Sequence, residues 1–142
     1  MTAKEYLRQL WQLDREIEIK CMELKQLRAS IGIRAMPDPD QNIGHSGNTS
    51  DPVSDIAVRI TRMEECLKKK INKLYDLRDT ITEQIDGMEC RNYRDILTCR
   101  YVLMQSWEDV ANSMKYDKHH CYKIHGRALQ EFYRLYLKDA TQ

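Results

Sequence analysis

The sequence predicts an all-α protein, in which a long antiparallel helical hairpin is followed by three shorter helices. Two observations predict the hairpin: apolar residues recur every three or four positions along two long stretches, and a segment rich in proline and glycine separates these stretches. A third observation predicts the shorter helices, because helix-capping residues open three short apolar patterns near the carboxyl end.

The first long helix is predicted to begin at Thr2, which forms a capping box with Glu5. The pattern continues for roughly 28 residues, which corresponds to about 40 Å of helix. Its apolar positions are Tyr6, Leu10, Leu13, Ile17, Leu24, Leu27 and Ile31. Lys20 interrupts this seam.

The segment 32–52, "GIRAMPDPDQNIGHSGNTSDP", contains all three prolines and three of the five glycines of the chain. Proline and glycine oppose regular helix, and a structureless stretch of about 20 residues is uncommon inside a compact domain. The segment is therefore predicted to be a flexible linker within an N-terminal region that spans residues 1–88.

The second long helix is predicted to begin at Pro52, with Asp51 as its N-cap, and to end near Gly87. A narrow heptad seam is interrupted only at Lys70 and Gln84. Its members are Val53, Ile56, Ile60, Met63, Leu67, Leu74, Leu77, Ile81 and Met88. The two seams fit an antiparallel hairpin within one chain, while a homodimer through a coiled coil remains an alternative.

Three helices are predicted in residues 89–142. The first begins near Arg91, the second follows a capping pattern of Ser106 with Asp109, and the third is capped by Asp117. The buried stripe of the third helix is predicted to be Cys121, Ile124, Ala128, Phe132 and Leu135.

The last two helices have the organisation of a helix-turn-helix. A short turn joins them, and small Ala111 lies where the second helix would cross the first. If the second helix enters a major groove, its first turns present four side chains to base edges and phosphates. These are Lys118, His119, Tyr122 and Lys123, and His120 and Arg127 are two further candidates for contact with DNA. Residues 89–142 are thus predicted to be a DNA-binding domain.

A family resemblance is carried by Ile96, Leu97, Arg100 and Tyr101, followed by "SWEDVANSMKYDKHHCYKIHGRAL". About 50 residues resemble the promoter-reading region four of primary sigma factors. Together with the helical N-terminal half, they resemble small phage late-gene transcription regulators of the RinA and ArpU type. The resemblance implies binding to promoter double-stranded DNA through Lys118, His119, Tyr122 and Lys123, and contact with RNA polymerase. It also implies a cytoplasmic location in a bacterial host cell.

Two features depart from this resemblance. Lys115 occupies a turn position that is often glycine in such motifs, so a left-handed backbone there would cost roughly 1 kcal/mol. The third C-terminal helix carries histidines where sigma factors more often have arginine or glutamate. The DNA sequence that sigma factors recognise is therefore not carried over to this chain.

Composition limits the other classes of function. The formal net charge is only +1, so attraction to nucleic acid must come from local clustering; residues 91–142 carry nine Lys and Arg against six Asp and Glu. The five cysteines are odd in number and lack a CxxC pair, which argues against a disulfide framework and favours a reducing cytosol. No membrane-spanning run, phosphate-cradling loop or nucleophile elbow is found, so neither an enzyme nor a cofactor is predicted.

Several alternatives stay open. The run from Lys118 to His120 could be an ordinary solvated helix start, and Arg127 could contact a phosphate or be a plain surface charge. Cys121 and His125 are four residues apart and could supply two zinc ligands, although no complementary pair is found. Gly126 is either a tolerated helix glycine or a point of close approach to DNA. The rival function is a helical interaction protein or phage assembly adaptor without DNA binding.

Overall fold

The computed structural model describes residues 1–34 and 52–141, and every regular element in these ranges is helical. The predicted all-α class is therefore confirmed. The five helices are α1 (Ala3–Arg34), α2 (Pro52–Asp86), α3 (Arg91–Leu97), α4 (Trp107–Met114) and α5 (Lys118–Phe132). A π-helical turn continues α3 (Thr98–Val102) and another continues α5 (Tyr133–Leu137), with a short 3₁₀ turn at Asp139–Thr141.

The predicted linker falls mostly outside the described residues. Residues 32–34 belong to α1 and Pro52 is the first residue of α2, while residues 35–51, including the predicted cap Asp51, are not described. None of the helices in the described ranges has an apolar stretch long enough to cross a membrane.

The chain divides into two compact units. Unit 1 comprises Met1–Asp14 and Lys73–Gln142, and unit 2 comprises Arg15–Asn72. The boundary predicted at residue 88 thus lies inside unit 1, because the start of α1 and the end of α2 share one core with α3 to α5. This core contains Ala3, Leu7, Leu10, Ile81, Ile85, Met88, Ile96, Leu97, Tyr101, Val110, Ala111, Cys121, Ile124, Ala128, Phe132 and Leu137.

In unit 2, ion pairs within the chain connect α1 to α2. Arg28 pairs with Glu64, and Lys70 pairs with Glu16 at 3.2 Å. Because the later residue of α1 pairs with the earlier residue of α2, the two helices are antiparallel here. Lys20, which interrupts the first seam, instead pairs with Glu23 of its own helix. Only Leu24 and Ile56 are buried among the described residues of this unit.

In unit 1, the two long helices bury more than the narrow seams predicted. Leu7 and Ile85 lie outside those seams, yet both are completely buried. The cause is tertiary, because the C-terminal helices contribute to the same core and cover a second stripe of each long helix. Tyr6, a predicted seam residue, is only half-buried and its hydroxyl donates a hydrogen bond to Gln84 Oε1 at 3.0 Å.

Gly87 follows the last residue of α2, as predicted. It is not a left-handed glycine that caps the helix. No glycine among the described residues has a positive φ. A Cβ atom at Gly87 would instead lie 2.6 Å from the hydroxyl oxygen of Tyr136, so the end of the tyrosine side chain would have to shift to admit it. The close approach of Tyr136 therefore favours glycine here.

The predicted buried stripe of α5 is correct through Phe132 and wrong at Leu135, which is 41% exposed. The π-helical turn after Phe132 explains the difference. A π turn contains more residues than an α turn, so the inward position moves further along the chain. Leu137 is the buried residue of this segment.

Candidate functional site

A side-chain cap marks the start of each of the two helices α4 and α5. Ser106 Oγ accepts a hydrogen bond from the Asp109 backbone N–H at 3.2 Å, so it caps α4 as predicted. Asp117 Oδ1 accepts a hydrogen bond from the His120 backbone N–H at 2.7 Å and caps α5. Because α4 ends at Met114 and α5 begins at Lys118, the turn between them has only three residues, Lys115 to Asp117.

Lys115 has a left-handed backbone, with φ 60° and ψ 36°. Its position in the turn explains this conformation, because the Tyr116 N–H then donates a 3.2 Å hydrogen bond to the Ala111 carbonyl oxygen at the end of α4. The conformation anticipated for a position that is often glycine in similar motifs is confirmed, and a lysine accommodates it here.

One side of α5 anchors the helix. It packs against α3 and α4. The inward residues are Cys121, Ile124, His125, Ala128 and Phe132, all of which are buried. The orientation of α5 about its own axis is thereby set by the core.

The opposite side of α5 is open to solvent. Lys118, His119, Tyr122 and Lys123 are all exposed. Lys118, His119 and Lys123 make no hydrogen bond or ion pair through their side chains with other described residues. The ten residues 118–127 include three cations and no carboxylate. We refer to Lys118, His119, Tyr122 and Lys123 as the α5 face.

Two further predicted residues lie beside the α5 face. The His120 ring packs edge-on against Tyr116, with 4.6 Å between ring centroids, so its position is tied to the turn. Arg127 is exposed and has no ion pair within residues 1–34 and 52–141. Both side chains are accessible to a ligand at this surface.

Tyr122 is held by an aromatic contact that the sequence did not reveal. Its ring stands edge-on to Trp107 at the start of α4, with 4.9 Å between ring centroids. Because Tyr122 remains 47% exposed, the contact orients the ring without burying it. The tyrosine is thus presented in a defined orientation.

His125 is buried and uncharged at neutral pH. Its Nε2 lies 2.8 Å from the Tyr101 hydroxyl, and its ring also packs edge-on against Trp107. Burial, followed by the nearby positive charges of Lys4, Arg100 and Arg8, lowers the pKa of His125 to about 4. Sequence reasoning considered this residue only as a zinc ligand and missed its place in the core.

The positions of Cys121 and His125 do not favour a zinc site. Cys121 is fully buried, and burial raises the pKa of its thiol, which opposes formation of the thiolate that binds metal. The His125 Nε2 atom is already engaged by Tyr101. Within the described part of the chain, no group of three or more His, Cys, Asp or Glu residues could hold a metal ion.

A group of cations next to Trp107 was also missed. The Arg100 guanidinium carbon lies 4.7 Å from the ring centroid of Trp107 and 4.7 Å from that of Trp11. Arg8 lies 5.7 Å from the Trp11 ring centroid, and Lys4 is one turn earlier on α1. We call Lys4, Arg8 and Arg100 the cation cluster. The spacing of Lys4, Arg8 and Trp11 by four and three residues was the signal available in the sequence.

Comparisons of the chain with protein-family models, with curated proteins and with solved structures find no match.

Proposed function

We propose that this protein binds double-stranded DNA through α4, the turn and α5, and that it regulates transcription from promoters. The observation that carries the proposal is the division of α5 into two sides. The core fixes one side, and the other presents lysine, histidine and tyrosine side chains to solvent with no carboxylate among residues 118–127.

The dimensions suit a major groove. An α-helix with its side chains is about 10–12 Å across, and the groove is about 12 Å wide. α5 provides 15 helical residues, of which the first two turns carry the α5 face. A three-residue turn after α4 is the connection that a helix-turn-helix uses to place its second helix in the groove.

The members of the α5 face divide by the contact each can make. Lys118 is the first residue of α5, where its charge and the free backbone N–H groups favour a phosphate. We assign His119 and Tyr122 to base edges, because both side chains can donate and accept hydrogen bonds. Lys123 is suited to a phosphate or to guanine. His120 and Arg127 are assigned to the backbone at the edges of this surface.

The test begins with selection of bound duplexes from a random pool at low salt. Enrichment of a sequence supports the proposal and supplies the site. Folded protein that enriches no sequence and binds no duplex would reject DNA binding.

The selected site then allows the α5 face to be tested directly. A variant with alanine at Lys118, His119, Tyr122 and Lys123 is expected to lose specific binding, since loss of each base contact costs roughly 1 to 3 kcal/mol. Its helix content should match that of the parent because all four side chains are exposed, and the lost contact between Tyr122 and Trp107 should lower the melting temperature only slightly. Specific binding equal to that of the parent would show that another surface recognises the site.

A matched control variant removes similar side chains elsewhere. Lys68, Lys69 and Tyr75 are exposed on α2, so their replacement by alanine removes two lysines and a tyrosine without touching α5. This variant is expected to bind the selected site as the parent does. An equal loss in both variants would indicate a general charge effect instead of readout by α5.

A second candidate function, a protein-interaction adaptor, is favoured by one observation. The first residues of α1 and the end of α5 line an open, mostly apolar groove, with Leu129 and Tyr133 on the α5 side. Tyr133 is 37% exposed, so its ring is accessible to a partner. This groove lies beyond the α5 face along the helix, and its residues Leu129 and Tyr133 are not among those assigned to DNA. Replacing Tyr133 by serine would impair adaptor binding and leave DNA binding unchanged.

A further inference from the structure

The cation cluster lacks a negatively charged partner. Lys4, Arg8 and Arg100 form no ion pair with any carboxylate in the described ranges. Glu5, the nearest carboxylate in sequence, is turned to the helix start, where it accepts hydrogen bonds from the Thr2 backbone N–H and hydroxyl. Three like charges from two segments are therefore brought together without compensation.

Aromatic rings support the cluster in place of carboxylates. Arg100 lies within 4.7 Å of two indole ring centroids, an arrangement that favours a cation electrostatically. One guanidinium nitrogen, Nη1, donates a 2.7 Å hydrogen bond to the Gln105 carbonyl oxygen. Arginine has five N–H donors, so the rings and this hydrogen bond fix its orientation and leave donors available.

The electrostatic surroundings agree with this geometry. Besides burial, the charges of Lys4, Arg100 and Arg8 lower the pKa of His125, so all three cations lie near the same buried ring. Burial is the largest cause that lowers the pKa of Arg100, and the charge of Arg8 lowers it further. An anion bound at the cluster would relieve this mutual repulsion.

The cluster is also continuous with the α5 face. Trp107 touches Arg100 on one side and Tyr122 on the other, with distances of 4.7 Å from the guanidinium carbon and 4.9 Å between ring centroids. A single aromatic ring therefore separates Arg100 from a side chain assigned to base readout. A DNA strand whose bases meet Tyr122 carries its phosphates along the edge of the same groove.

We propose that Lys4, Arg8 and Arg100 form a phosphate clamp for the DNA backbone, contributed jointly by the start of α1 and the turn after α3. The clamp rests on the proposed DNA-binding function and extends it to a part of the chain outside the helix-turn-helix. Lys4 and Arg8 contact phosphodiester oxygens through their exposed charges, while Arg100 is a half-buried, oriented donor. Because the clamp contacts phosphates and no bases, it does not select a DNA sequence. It sets the orientation of the duplex against α5.

The test compares Lys4→Gln/Arg8→Gln with the parent, using the selected duplex and an unrelated duplex over a range of salt concentrations. Affinity is expected to fall about tenfold for both duplexes alike. The slope of log affinity against log salt should decrease in magnitude by roughly 1.8 units, since each neutralised phosphate contributes about 0.9. Lys4→Arg/Arg8→Lys, which keeps both charges, should retain the parent slope.

Two controls make the result specific. Lys68→Gln/Lys69→Gln removes the same charge from an exposed face of α2 and should leave affinity and slope unchanged. Lys4 and Arg8 are both exposed, so unchanged helix content and melting temperature in the free variants show that the fold around Arg100 is intact.

The outcomes separate the two proposals. A parent protein that binds no duplex rejects the proposed function and the clamp with it. A parent that binds the selected duplex, together with an unchanged salt slope in Lys4→Gln/Arg8→Gln, rejects the clamp alone. An equal reduction of the slope in the Lys68→Gln/Lys69→Gln control also rejects it, because the effect would then be one of net charge.

Discussion

The two compact units use the same two long helices in different ways. In unit 1, the start of α1 and the end of α2 join a core of sixteen buried residues together with α3 to α5. In unit 2, only Leu24 and Ile56 are buried among the described residues, and three charged pairs accompany the seam: Lys20–Glu23, Arg28–Glu64 and Lys70–Glu16. Exposed ion pairs contribute little, typically under about 1 kcal/mol each.

This difference indicates that the stability of the protein is concentrated in unit 1. Local opening requires less free energy where few apolar side chains are buried, so amide hydrogens in unit 2 should exchange faster than those of Leu7 or Ile85. The α5 face and the cation cluster both lie in unit 1. The surfaces proposed to meet DNA are therefore held by the more extensively packed unit.

The largest expected effect comes from a matched pair of leucines on α1. Leu7 is completely buried in unit 1, whereas Leu27 is only half-buried in unit 2. Leu7→Ala should lower the free energy of unfolding by about 3 to 4 kcal/mol, and Leu27→Ala by about 1 kcal/mol. Urea denaturation followed by circular dichroism measures both, and equal losses would contradict the contrast between the units.

Acid should destabilise unit 1 through His125. The folded-state pKa of His125 is about 4 against an ordinary value of 6.5, so the unfolded chain takes up a proton first as the pH falls. Neutral His125 therefore contributes to the free energy of unfolding above pH 6.5. This contribution, roughly 3 kcal/mol, is lost as the pH falls from 6.5 to about 4.

The measurement compares unfolding free energies of the parent and His125→Gln across this pH range, so that carboxylates common to both cancel. The difference between the two proteins should shrink as the pH falls toward about 4. His119→Gln, at an exposed position, is the matched control and should keep the parent pH dependence. A parent-like pH dependence in His125→Gln would show that this histidine is not the responsible group.

Gly87 tests how closely unit 1 is packed. Gly87→Ala should lower the free energy of unfolding by about 1 kcal/mol, because the new Cβ would lie 2.6 Å from the Tyr136 hydroxyl oxygen and the end of that side chain would have to move. In a Tyr136→Phe background, which removes that oxygen, the cost of Gly87→Ala should largely disappear. Thermal melts of the four proteins of this cycle provide the measurement; additive effects would exclude the contact as the cause.

Gly126 lies in unit 1 at a position with open space beside it, and its substitution should change the free energy of unfolding least. A Cβ there meets no atom within 4 Å, and the residue lies inside α5. Gly126→Ala should raise the free energy of unfolding by about 0.5 to 1 kcal/mol, since alanine loses less conformational freedom in a helix. Weaker binding to the selected duplex in this more stable variant would support close approach of DNA to Gly126, whereas unchanged binding would mark it as a tolerated helix glycine.

Local sequence signals determined the helices and their starts. Ser106 and Asp117 cap the helices that they were predicted to cap, because capping depends on a side chain and a backbone group only three residues apart. Four of the five inward residues of α5, all except His125, also followed from periodicity alone. The left-handed backbone of Lys115, in contrast, was raised only by the resemblance to motifs that often have glycine at this position.

Only the tertiary structure decided which helices share a core. Leu7 and Ile85 lie off the predicted seams and are buried because α3 to α5 cover a second stripe, which no periodicity within α1 or α2 reveals. The π-helical turn after Phe132 exchanged Leu135 for Leu137 in the core. The cation cluster likewise joins residues more than 90 positions apart in the chain, Lys4 and Arg100, and contacts at such separation depend on packing that local patterns do not encode.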